Sequence, residues 1–199
     1  MVDMKAMQIP DYNPAQVDNN NIQNMWPKTF HKTNIAFERK DVITKGTSLE
    51  PIEGALEAIK NLRLKGYKVG LIMDEAGSTE EKSESMLQGL MKIFGDAGIM
   101  SIDYMYYSIG VERQDSFVKP STGMFKRAES ENPQIKFKGS IYVGKTINDA
   151  KAAFKIGARA ILINPTEETV KKLGSFANQK VKKKTRIFQS LQEFEKTLK

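Results

Sequence analysis

Four short stretches place charged side chains where apolar runs end. Glu38-Arg39-Lys40-Asp41 follows Ile35-Ala36-Phe37, and Asp74-Glu75 follows the run ending at Met73. Lys119 opens Lys119-Pro120-Ser121-Thr122-Gly123-Met124, and Gly144-Lys145-Thr146-Ile147-Asn148-Asp149 follows Ile141-Tyr142-Val143. A carboxylate at a strand tip can attack an electrophile, move a proton or hold a hard cation. A lysine beside it can balance that charge or stabilise a transferring phosphoryl group.

These residues meet only if strands and helices bring them together. Short apolar runs at 34–37, 68–73, 103–108, 140–143 and 159–164 read as strands. Between them, apolar residues recur at helical spacing: Ala55, Leu56, Ile59 and Leu62, then Met86, Leu87, Leu90, Met91 and Phe94. Ser78-Thr79-Glu80-Glu81 reads as a capping box, Ser121 as a cap before Met124, Phe125 and Ala128, and Thr146 as the cap of a helix closed by Gly157. Residues 166–177 read as a helix, and Ile187, Phe188, Leu191, Phe194 and Leu198 mark a last one. Alternating strand–helix units imply an α/β class, a Rossmann-like three-layer α/β/α sandwich around a mainly parallel sheet. In such sheets ligands sit beyond the carboxyl ends of the strands, which is where the charged stretches fall.

The order of the four motifs resembles the haloacid dehalogenase (HAD) superfamily of phosphohydrolases. More narrowly, it resembles the small cap-less branch of histidinol-phosphate and heptose-bisphosphate phosphatases, with the phosphatase domain of polynucleotide kinases as a related alternative. The resemblance covers about residues 34–164 and implies a HAD-like fold without a large cap domain. It assigns catalytic positions to Glu38, Lys40 and Lys119, phosphate-binding positions to Met73, Asp74 and Lys119, and a metal position to Asp149.

The chemistry departs from the family frame. The family's first strand ends in Asp-Arg-Asp-Gly-Val-Ile, whose first Asp attacks phosphorus and whose second shuttles a proton. Here those positions hold Glu38 and Lys40. The phosphate-holding hydroxyl is replaced by Met73, and the first acid of Gly-Asp-x-x-x-Asp by Lys145. Glu38 and Asp149 then face Lys40, Lys119 and Lys145, a net positive cup that disfavours magnesium, because like charges 4 Å apart repel by ~4 kcal/mol even at an effective dielectric of about 20. Glu38 is expected to pair with Lys145, and Lys40 with Asp149 or Asp74. The sequence thus implies a catalytically inactive protein, a structural, regulatory or binding subunit without a cofactor. The alternative is a divergent magnesium-dependent phosphomonoesterase or phosphotransferase, with Glu38 attacking phosphorus or orienting water.

The 199 residues suit one domain with an appendage. No cysteine is present, which excludes disulfides and thiolate chemistry. No apolar run spans a bilayer and no secretory start is apparent, so the cytoplasm is the expected compartment. Residues 1–33, rich in Asn and containing Pro10, Pro14 and Pro27, read as an extended arm that binds another protein or a second copy, with Trp26 and Phe30 pinning its end to the body and Met4, Met7 and Trp26 as anchors on a partner. Residues 34–199 form the domain. His31, the one histidine, reads as a surface or packing residue.

The net charge of +7 resides in one window, Lys171, Lys172, Lys180, Lys182, Lys183, Lys184 and Arg186, with no intervening acid. That window reads as a solvated face with a basic loop, or as a patch for nucleic acid or another anion. The Gly139 to Thr146 stretch superficially matches a phosphate loop, but Ser140–Val143 reads as strand, so nucleotide triphosphate binding is not expected.

Overall fold

A computed structural model of the chain describes residues 32–75, 77–109 and 116–198. Most of the expected arm, with Met4, Met7, Trp26, Phe30 and His31, lies outside the described residues.

Every strand of the sheet runs parallel to its neighbours. In chain order the elements are strand β1 (Lys32–Phe37), helix α1 (Ala55–Leu64), β2 (Tyr67–Asp74), α2 (Glu80–Asp96), β3 (Tyr104–Ser108), α3 (Gly123–Glu131) and β4 (Ile141–Gly144). Then come α4 (Ile147–Lys155), β5 (Arg159–Ile163), α5 (Glu167–Gly174), a 3-10 turn (Phe176–Asn178), α6 (Gln179–Lys183), β6 (Thr185–Phe188) and α7 (Leu191–Lys196). The spatial order is β3-β2-β1-β4-β5-β6. The order reverses at β1, whose register pairs Phe37 with Leu71 on one side and Val143 on the other. That switch point is where an open parallel sheet leaves a crevice for a ligand.

Alternation along the strands divides the core. Ile35, Phe37, Leu71 and Met73 face α1, α2 and α7, burying Ile59, Leu62, Leu90, Phe94 and Phe194. Ala36, Ile72, Tyr104 and Tyr142 face the other layer, with Phe125 and Ala128 of α3 and Ala150 and Ala153 of α4. The three-layer α/β/α class read from the sequence is the fold observed. Glu38 and Asp74 follow the same alternation, one step past the apolar positions, so both leave the sheet toward the second layer's end.

Three local expectations change. Helix α2 is capped by Thr79, whose hydroxyl accepts from Lys82 N, rather than by Ser78. Helix α3 begins after Thr122 without a side-chain cap, so Ser121 does not serve as one. Ile187 and Phe188 belong to a sixth strand instead of the last helix. Thr185 to Phe188 is rich in β-formers and hydrogen-bonds alongside β5, with Asn164 N donating to Phe188 O at 2.8 Å. The helical spacing was fortuitous, because Ile187 is 39% exposed at the sheet edge while Phe194 is buried.

Candidate active site

The ends of β1, β2 and β4 and the turn before α3 converge on a buried ion cluster centred on Lys119. Lys119 is only 5% exposed, so its three ammonium protons must be met by protein acceptors. One goes to Asp149 Oδ1 at 2.6 Å, one to the Tyr142 hydroxyl at 2.9 Å and one to Glu38 Oε2. Asp74 Oδ2 stands 3.8 Å from the same nitrogen and accepts from Lys119 N at 3.2 Å. Tyr142 passes its own proton to Ile72 O at 2.9 Å, which fixes the hydroxyl as an acceptor for the lysine.

Glu38 is held by the turn that ends β1. Its Oε1 accepts from Arg39 N at 2.8 Å and Lys40 N at 3.3 Å, and its Oε2 accepts from Asp74 N at 3.2 Å besides Lys119. The extra methylene of glutamate is therefore folded back into a fixed orientation. Glu38 N donates to Val143 O at 2.8 Å, carrying the β1–β4 ladder one residue past the strand.

Asp149 does two tasks. Its Oδ2 accepts from Lys145 N, Thr146 N and Thr146 Oγ1 at 3.0, 2.8 and 2.8 Å, closing the capping box of α4, while Oδ1 meets Lys119. The close approach needs Gly144, because a Cβ there would lie 2.5 Å from the Asp149 side chain.

The titration directions follow. Burial pushes the Glu38 carboxyl up, and Lys119 only partly reverses it. Burial likewise pushes Asp74 up to about 6, opposed by Lys119 and reinforced by Glu38. Burial pulls Asp149 upward too, but Lys119 and the N–H groups of Thr146 and Lys145 outweigh it, and the group sits below the usual aspartate range. Burial opposes the charge on Lys119, yet Asp149 and Glu38 hold it well above the ordinary lysine value. Asp74 Oδ1 is the exception to a satisfied cluster: it is buried and has no hydrogen-bond partner.

The expected ion pairs are rearranged. Glu38 pairs with Lys119, not Lys145. Lys40 reaches Glu75 Oε2 at 3.0 Å and the Asp74 carbonyl at 2.9 Å, with no contact to Asp149. Lys145 points to Asp41 Oδ2 at 3.8 Å. Arg39, 1% exposed, grips Glu75 with Nε and Nη2 at 2.9 and 3.0 Å and donates through Nη1 to Thr44 Oγ1 at 2.8 Å. Glu75 is thus neutralised from two sides and does not repel an incoming phosphate. Met73, expected at the phosphate position, turns its side chain into the apolar core and cannot touch a ligand.

Tyr142 is the part of the site that the sequence did not single out, and although Arg39 and Glu75 stand in the charged stretches, their pairing with each other was not foreseen. Tyr142 was findable: it stands two residues before Gly144 and shares a strand face with Ala36 and Ile72. The Arg39–Glu75 pairing joins residues 36 apart and left no local signal.

Magnesium does not fit the side chains as they stand. Among the described residues, no group of three or more histidine, aspartate or glutamate side chains is arranged to hold a metal ion. The Glu38 and Asp149 carboxylates face each other across the Lys119 ammonium, and each of their oxygens already accepts a proton. A hard dication needs such oxygens free, in near-octahedral array.

A parallel α/β sheet whose switch point holds an acid–lysine cluster defines a Rossmann-like α/β domain. The chain belongs to the haloacid dehalogenase-like hydrolase family, which matches residues 7–163. It is 28% identical over 118 residues, 57% of this chain and 67% of the relative, to a D-glycero-beta-D-manno-heptose-1,7-bisphosphate 7-phosphatase of Pseudomonas putida. Its fold is similar to the crystal structure of a D,D-heptose 1,7-bisphosphate phosphatase from B. bronchiseptica complexed with magnesium and phosphate, with TM-score 0.71 and 18% identity, covering 83% of this chain and 97% of that one. A second similar structure is a D,D-heptose 1,7-bisphosphate phosphatase from Burkholderia thailandensis, with TM-score 0.57 and 19% identity, covering 83% and 97%.

These relations overturn the expectation of a catalytically inactive scaffold, since the family is one of hydrolases and the matched relative is a phosphatase. The physical reason is visible in the site. The inference of a net positive cup counted Lys40 and Lys145, but both are engaged elsewhere, by Glu75 and Asp41. What remains is Glu38, Asp74 and Asp149 around one lysine. No helix among the described residues is long and apolar enough to cross a membrane.

Proposed function

We propose that the chain is a divergent phosphomonoester hydrolase of the haloacid dehalogenase type. The observation that carries this reading is the contact of Glu38 Oε2 with the buried ammonium of Lys119, at the switch point of the sheet. Glu38 is the nucleophile: its Oε2 forms a bond to phosphorus as the bond from phosphorus to the ester oxygen breaks. The two N–H donors on Oε1 hold the carboxylate still, which favours near-attack geometry. As Oε2 becomes an acyl-phosphate oxygen, the Lys119 ammonium redirects its hydrogen bond from Oε2 to the phosphoryl oxygens, whose charge it stabilises while keeping its protons. Asp149 and Tyr142 keep that lysine charged and aimed.

Lys40 is turned away toward Glu75, so the proton for the leaving oxygen comes from Asp74. Its unpaired Oδ1 and its value of about 6 suit a group that gives a proton near neutrality and takes one back. In the second half, water attacks phosphorus, Asp74 accepts its proton, inorganic phosphate leaves and Glu38 returns as a carboxylate. No step runs through magnesium, because Lys119 occupies the space between the carboxylates.

The relative's name makes a phosphorylated sugar the first substrate class to test. Phosphate release from p-nitrophenyl phosphate and from a panel of sugar phosphates tests the reading. Turnover lost in Glu38→Gln supports it; no turnover of any phosphomonoester by the intact chain refutes it.

A further inference from the structure

A cavity of about 460 Å³ lies away from the cluster, against β4, β5, β6 and the end of α7. It touches Ile141, the first residue of β4, whereas the active-site residues follow Gly144, the last. The volume falls within the range of about 300–1,000 Å³ typical of small-molecule sites. The floor is apolar: Ile141, Ile161, Phe188 and Phe194, with the two phenylalanine rings 5.6 Å apart. The rim is cationic: Arg159, Lys183, Lys184 and Arg186, all exposed. No aspartate or glutamate lines the cavity, and none of these four cations forms an ion pair with a described carboxylate. Glu195 of α7 does not relieve the rim, because it is buried against Lys65 at 2.5 Å.

Four like-charged, exposed groups gathered at one opening, with no carboxylate among them, leave a positive field that favours an anion there. The sequence's basic window is also resolved here into parts. Lys171 and Lys172 lie on α5, and Lys180 and Lys182 on α6 do not line the cavity, but Lys183, Lys184 and Arg186 join Arg159 at one opening. A recessed apolar floor adds nothing for a nucleic-acid backbone, which is held by basic side chains along an extended track. It suits one small molecule with a flat apolar part and a phosphate, where arginine forks can bind phosphate in bidentate fashion.

We propose that this cavity binds a small organic phosphate carrying a planar aromatic ring, of the chemical class of a nucleotide, at a site separate from the phosphoryl-transfer cluster. The site does not depend on the hydrolase reading. Calorimetric titration of ADP into the full chain tests it, using Glu38→Gln so that no turnover intervenes. Binding is expected, with inorganic pyrophosphate at least tenfold weaker. Arg186→Glu and Lys184→Glu, both at exposed positions, are each expected to weaken ADP at least tenfold while keeping the circular-dichroism melt of the parent. The proposal is overturned if ADP fails to bind, if pyrophosphate binds as tightly, if the two charge reversals leave ADP binding intact, or if a short single-stranded RNA binds and displaces ADP from the same residues more tightly than ADP itself.

Discussion

Lys119 Nζ stands 2.6 Å from Asp149 Oδ1, and both side chains are 3% exposed. A bare ammonium at this depth would be untenable, and so would either carboxylate without it. The cluster is therefore a stability element as well as a reactive one.

Lys119→Met should cost about 3–5 kcal/mol in urea unfolding at pH 8, because it leaves Glu38, Asp74 and Asp149 buried without their cation. The loss should shrink at pH 5, below the value of about 6 to which burial pushes Asp74, because that carboxyl is then mostly protonated. An equal loss at both pH values would mean that packing rather than charge explains the effect.

Asp74 supplies a pH signature. Its folded value is about 6 against an ordinary 3.8, so the folded protein binds that proton more tightly than the unfolded chain. Its favourable contribution is complete below pH 3.8 and is lost as pH rises through about 6, a change of roughly 3 kcal/mol at most. Asp74→Asn should remove that slope, so the variant gains stability relative to the parent between pH 4 and pH 6. As the proton donor, Asp74 should also matter more for sugar phosphates, whose leaving group is a poor one, than for p-nitrophenyl phosphate. Equal effects on both substrates would remove it from the proton-transfer role.

Arg39 fixes the β1 turn through five contacts, two of them to Glu75. Arg39→Ala should destabilise by about 3–5 kcal/mol, and Arg39→Lys by less, since an ammonium cannot reproduce the fork. Thermal melts separate the two. A null effect of Arg39→Ala would show that the Glu75 charge is met by Lys40 alone.

Chelation addresses the metal. With Lys119 between Glu38 and Asp149, turnover should persist in excess EDTA, and calorimetric titration of magnesium should give no binding heat. Activity abolished by EDTA and restored by magnesium would show that the lysine yields its place to a dication.

Much of this was legible in the chain because strand tips are local. The alternation that buries Ile35 and Phe37 also places Glu38, and Thr146 was legible as the cap of α4, whereas the part Asp149 takes in that cap and its close approach to Gly144 appear only in the fold. What sequence could not give was direction. Lys40 and Lys145 sit in register with catalytic positions, yet each swings to a carboxylate outside the cluster, and only the fold decides which acid is nearer. The sixth strand was hidden for a related reason: Ile187 and Phe188 fit a helical spacing, and the neighbouring edge of β5 overrode it. Charge counting without these directions led to the wrong conclusion about catalysis.

The most direct measurement is an acid quench of the chain during turnover of p-nitrophenyl phosphate, followed by mass spectrometry of its peptides. The account predicts one phosphoryl group on the peptide containing Glu38, absent in Glu38→Gln. Turnover without that adduct, or with the phosphoryl group on another residue, would contradict it.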